Sequence, residues 1–146
     1  MLDPRELLGS WELTMREDRT ADGALHPDPA LGPDPIGHLL YDAGGHFAAQ
    51  FMRRDRSGAD GASPVTAGKN NSRAVGGYDA YFGRYSVDPE TGLVTQTLEG
   101  ALAPENVGLV VTRPMQVDGD ELTLRLETTA VDGTPVVRTL KWRRVG

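Results

Sequence analysis

The sequence predicts an all-β fold: an eight-stranded antiparallel barrel enclosing a ligand cavity. Short alternating segments are punctuated by turn dipeptides such as Asp118-Gly119 and Asp132-Gly133. Of 146 residues, 18 are Gly and 10 are Pro, and the hydrophobic fraction is 38%. That mixture suits strands and turns better than long helices. Trp11 stands two residues after Gly9 on the first alternating segment. The length fits one domain, and a barrel of this size is either filled with side chains or holds one small ligand.

The first strand is expected over Leu7–Arg16, with Trp11, Leu13 and Met15 on one face and Ser10, Glu12 and Thr14 on the other. Asp18–Gly37 carries four prolines and reads as a long loop over one end of the barrel. Gly37–Asp42 and His46–Met52 form a hairpin about Ala43-Gly44-Gly45. A three-residue loop there pairs Tyr41 with Phe47 and Leu39 with Ala49, placing His38, His46 and Gln50 outside. Arg53–Tyr78 is 26 residues with few large apolar side chains. A segment of that length reads as functional or disordered, and we expect it to cover the barrel mouth.

Ala80–Val87 is the next strand, turning at Pro89–Gly92. A four-residue loop sets Val87 opposite Val94 and Tyr85 opposite Gln96. Gly108–Val117 and Glu121–Thr129 pair about Asp118-Gly119. A loop of two or four residues puts Val111, Arg113, Met115 and Val117 on the face of Leu122, Leu124 and Leu126, with Met115 expected across from Leu122. The last hairpin turns at Asp132-Gly133. A three-residue loop sets Leu126 against Leu140, with Arg138 on the same inner face. Pro135–Arg143 then returns beside the first strand, because a closed sheet leaves no unpaired edge.

Composition narrows the function classes. Fifteen basic against 21 acidic residues give a net charge of −6, which disfavours nucleic acid and anionic membranes. No cysteine is present, so thiolate chemistry and disulfides are excluded. The start of the sequence is charged at once and no apolar run has membrane-spanning length, so a cytoplasmic protein is expected. The bias toward Ala, Gly, Asp, Arg and Pro resembles that of a GC-rich bacterial genome. No nucleophile elbow or phosphate-binding glycine loop occurs, and His26, His38 and His46 lack a metal spacing. Neither metal nor cofactor is expected. Asp3, Asp22, Asp28, Asp34 and Asp60 read as turn formers, while Arg53, Arg54 and Arg56 and the group Lys141, Arg143 and Arg144 read as solvated ends.

Several segments carry a resemblance. They are Gly9-Ser10-Trp11 with Leu13, Gly32-Pro33-Asp34-Pro35-Ile36-Gly37 before Leu39 and Tyr41, and Gly45-His46-Phe47-Ala48-Ala49-Gln50. Tyr81-Phe82-Gly83-Arg84-Tyr85, Glu99-Gly100 and Asp120-Glu121-Leu122-Thr123-Leu124 before Trp142 complete the set. In these the chain resembles the lipocalin-like domain family of bacteria and fungi, along most of its length except Arg53–Tyr78. The resemblance implies a lipocalin-type barrel with an internal cavity. It also implies a last-strand arginine packed against the first-strand tryptophan, a role that would fall to Arg138. Family members include ligand binders and proteins that serve natural-product pathways as cyclases or isomerases. A histidine common in the family is replaced in the stretch Thr95, Gln96 and Thr97, so no chemistry is carried over from it.

The residues that suggest chemistry are polar ones on apolar faces. Arg113 sits among Val111, Met115 and Leu124, where a guanidinium must find a carboxylate, carbonyls, an aromatic face or a ligand. Tyr81, Tyr85 and Gln96 form a polar group on adjacent strands. Tyr41, Phe47 and Phe51 supply an apolar wall. The expected ligand is a small hydrophobic, oxygen-bearing metabolite of polyketide type. Tyr85 and Arg113 are the expected catalytic pair of a cofactor-free isomerase or cyclase. Tyr41, Phe47, Phe51, Tyr81, Gln96, Met115 and Arg138 are expected to contact the ligand. The alternative is a non-catalytic carrier, and a homodimer is admitted as an assembly.

Overall fold

A computed structural model describes residues 1–56 and 74–146. Eight strands close in sequence order: β1 (Gly9–Arg19), β2 (Ile36–Tyr41), β3 (His46–Met52), β4 (Tyr78–Asp88), β5 (Leu93–Ala101), β6 (Val110–Asp118), β7 (Glu121–Thr129) and β8 (Pro135–Arg144). Every neighbouring pair is antiparallel, and β8 closes on β1. Much of Asp18–Gly37 is loop as expected, although β1 runs on to Arg19. Among the described residues no helix is long and apolar enough to cross a membrane.

The hairpins obey the pleat. In β2 and β3, Tyr41 faces Phe47 and Leu39 faces Ala49, with Gly45 in the left-handed conformation that the three-residue loop requires. In β4 and β5, Val87 faces Val94 and Tyr85 faces Gln96. Two registers differ from expectation. Met115 lies opposite Leu124, because only Gly119 and Asp120 separate the paired Asp118 and Glu121. Leu126 lies opposite Arg138, and Leu124 opposite Leu140. Both slips are of two residues, so every side chain keeps its face.

One slip is not of two. A β-bulge between Leu13 and Met15 sets two residues of β1 against one of β8. Beyond it the facing alternation is reversed, so Arg16 and Asp18 are buried while Met15 is only half-buried. The expected place of Met15 beside Trp11 and Leu13 is therefore taken by charged residues.

The N-terminal segment stoppers one end of the barrel. Asp3 and Glu6 form a capping box around the 3₁₀ turn Pro4–Leu7, and Leu2 and Leu7 are fully buried. The Trp11 indole donates to the Leu7 carbonyl at 2.9 Å, and the Arg144 guanidinium lies 4.3 Å over the Trp11 ring. The arginine stacked on Trp11 is thus Arg144 and not Arg138, so Arg144 is more than a solvated end.

Candidate functional site

A cavity inside the barrel leaves about 90 Å³ open to the centre of a water-sized sphere. One such sphere needs roughly 10–15 Å³, so this is room for a small molecule. Leu31, Leu39, Phe51, Leu98, Leu124 and Leu140 form much of its apolar surface. The aromatic wall interlocks: Phe51 meets Trp142 edge-on at 5.7 Å between centroids and lies tilted against Tyr81 at 6.3 Å.

Polar groups enter this wall from several strands. The Tyr41 hydroxyl accepts from Gln96 Nε2 at 2.8 Å and donates to Met115 Sδ at 3.7 Å. Burial pushes the Tyr41 phenol far above its ordinary range, against the opposing effect of the Gln96 hydrogen bond. The Tyr81 phenol is also raised by burial; Arg113 pulls it part of the way back, while Asp79 adds to the rise. Arg113 faces the cavity, and its Nη1 donates to the Thr112 carbonyl at 2.9 Å. Desolvation holds its pKa below the usual guanidinium value, with Tyr81 opposing the fall.

Two further arginines reach the cavity with carboxylates behind them. Arg138 Nε and Nη2 each donate to Asp18 at 2.8 Å, a bidentate pair between the first and last strands. Arg16 Nη2 donates to Asp28 Oδ2 at 3.2 Å. Asp28 also accepts from the backbone of Ala30 and Leu31, so it both makes the expected turn and anchors the loop inside. Asp79 is buried, lines the cavity, and accepts from its neighbour Ala80 N at 3.0 Å.

A family model described as lipocalin-like domain matches residues 8–145. The chain belongs to the lipocalin-like domain family. Among curated proteins, none matches it. A lipocalin-like barrel with an internal cavity suits small-molecule binding.

Within this lipocalin-like barrel, Tyr41, Phe51, Tyr81, Gln96, Arg113, Met115 and Arg138 line the cavity. Two expected members do not. Phe47 is buried behind the wall, with ring centroids 6.2 Å from Tyr41 and 6.1 Å from Tyr81. Tyr85 packs edge-on against Tyr41 at 4.7 Å, and its hydroxyl donates to the Asp42 carbonyl at 2.8 Å. Its inward parity was right, but its hydroxyl donates to the β2–β3 turn and Tyr85 is not among the residues lining the cavity.

Reading the sequence missed Arg16, Asp79 and Trp142. The bulge hid Arg16. Asp79 fell between the Arg53–Tyr78 segment and the strand expected from Ala80, although it is two residues from Tyr81 on the same strand and so shares its face. Trp142 figured only among the residues of the family resemblance. Asp42 Oδ1 lies 3.4 Å from His46 Nδ1 and also accepts from the backbone of Gly44 and His46, so it stabilises the hairpin. Arg53 and Arg54, read as solvated, reach the Asp18–Gly37 loop at Pro29 and Asp34. The expected mouth cover lies mostly outside the described residues, as does Asp60.

Proposed function

We propose that this protein binds a small apolar molecule bearing carbonyl or enol oxygens and catalyses a proton shift on it, as a cofactor-free isomerase or cyclase of polyketide-like metabolites. The observation that carries this reading is the donor-rich lining. Arg113, Tyr81, Arg16 and Arg138 present N–H or O–H groups, whereas Asp79 is the one carboxylate among the described lining residues. Such a surface favours acceptor oxygens on the ligand over hydroxyl donors.

In this mechanism the Asp79 carboxylate takes a proton from the carbon beside the carbonyl. Arg113 and Tyr81 hold the oxygen as negative charge develops there, and Asp79 returns the proton to a second carbon. Because burial raises the Tyr81 phenol, it serves at neutral pH as a hydrogen-bond donor and not as a base. The two charged roles fall on residues of opposite sign, as enolisation needs.

The test uses 2-tetralone, a bicyclic ketone with acidic α-hydrogens, and follows their exchange in D₂O by proton NMR. The protein should accelerate exchange. Arg113→Met should lower that acceleration on the order of 10²-fold, the size of one lost oxyanion donor, and Asp79→Asn should abolish it. Tyr81→Phe should have a smaller effect in the same direction. If the ketone binds but exchanges no faster than in buffer, the barrel is a carrier.

A further inference from the structure

The indole of Trp142 is 2% exposed, and its Nε1–H has no hydrogen-bond partner. It is the sole buried side-chain nitrogen or oxygen in that state among the described residues. A buried tryptophan N–H ordinarily finds an acceptor, and an orphan needs an explanation. Trp11, the other tryptophan, has the Leu7 carbonyl. For Trp142 none of the described residues supplies one: its cross-strand partners are Leu13 and Leu122, and Phe51 meets it edge-on.

Trp142 is nevertheless part of the cavity wall. We infer that its indole N–H is a second recognition point, donating to a neutral acceptor oxygen on the ligand. This rests on the reading of the cavity as the site of an oxygen-bearing molecule, and it narrows that class. The ligand carries two oxygens of different kinds. One is the carbonyl or enol oxygen held by Arg113 and Tyr81. The other is an ether, ester or second carbonyl oxygen set against the Trp142 indole, where the leucines and Phe51 exclude a charged group. A hydroxyl at that position meets the indole only as an acceptor and leaves its own proton unbonded among apolar side chains, so an ether or carbonyl is preferred.

The four methoxy-2-tetralones with the ether oxygen at position 5, 6, 7 or 8 place a second acceptor around the ring of one ketone. At least one isomer should bind the native protein about tenfold more tightly than 2-tetralone, the worth of one hydrogen bond to an otherwise orphaned donor. Trp142→Phe should erase that gain, so that in the variant the favoured isomer binds no more tightly than 2-tetralone does to the same variant. In ¹⁵N-labelled native protein, the Trp142 indole proton should move downfield with that isomer and stay in place with 2-tetralone, a readout independent of whether the Phe variant folds. The inference is overturned if no isomer gains affinity, if the gain survives in Trp142→Phe, or if the indole proton does not move at saturation. Loss of the preference for 2-tetralone over the hydrocarbon tetralin would instead overturn the proposed function, because that preference belongs to Arg113 and Tyr81.

Discussion

Asp18 and Arg138 meet inside the barrel from its first and last strands, both almost wholly buried. The bidentate geometry compensates two desolvated charges, and removing the carboxylate takes that compensation from Arg138. Asp18→Asn should therefore lower stability by about 3 kcal/mol in urea unfolding, far more than the same change at exposed Asp34. A loss below about 1 kcal/mol would mean that Arg138 is satisfied without Asp18. The phenols give a pH prediction. Tyr41, Tyr81 and Tyr85 are all raised, first by burial. A folded pKa above the unfolded one leaves stability intact below pH about 10 and removes it as pH rises through the folded values. Stability should fall by up to about 1.4 kcal/mol per pH unit for each fully buried phenol, and Tyr41→Phe should flatten that slope. Phenolate absorbance from Tyr41 near pH 10 in the intact fold would contradict it.

At the level of elements, the β4–β5 ribbon shows how a close approach dictates a residue. A bulge falls between Phe82 and Gly83, and a Cβ on Gly83 would overlap the Thr97 carbonyl oxygen of the neighbouring strand. Gly83→Ala should separate the strands there and cost about 2 kcal/mol, read as a lower urea midpoint. An unchanged midpoint would show that β5 yields without strain. The same ribbon carries Tyr81 and Asp79 inward, so the substitution should also slow the exchange reaction. Parity explains why elements were more legible than registers. Alternation assigns faces modulo two, so the two-residue slips at Met115 and Leu126 left Arg113 and Arg138 facing inward. The one-residue bulge after Leu13 did not, and it brought Arg16 and Asp18 inside.

For the molecule as a whole, closure of β8 on β1 joins the two ends of the chain into one cooperative sheet. Any ligand held within it stabilises the whole barrel by mass action. At one hundred times its dissociation constant, 2-tetralone should add about 2.7 kcal/mol and raise Tm by roughly 5–10 °C. Tetralin at equal free concentration should raise it less. An unmoved Tm at concentrations that saturate binding by NMR would place that binding outside the folded barrel.

What the sequence determined by itself was local. Alternation and turn chemistry gave eight strands, their inner faces outside the bulged half of β1, and the pairing of Tyr41 with Phe47, because pleat and turn type depend on neighbouring residues. Resemblance along those segments pointed to the lipocalin-like family, which the match over residues 8–145 bears out. Tertiary structure alone decided which inward polar groups meet. Arg138 found Asp18 across 120 residues, Arg144 took the Trp11 ring, and the Tyr85 hydroxyl was drawn to the Asp42 carbonyl. Those choices depend on distances across a closed barrel, on one bulge and on the stagger of strands. None of these is encoded in the period of two that a sequence displays.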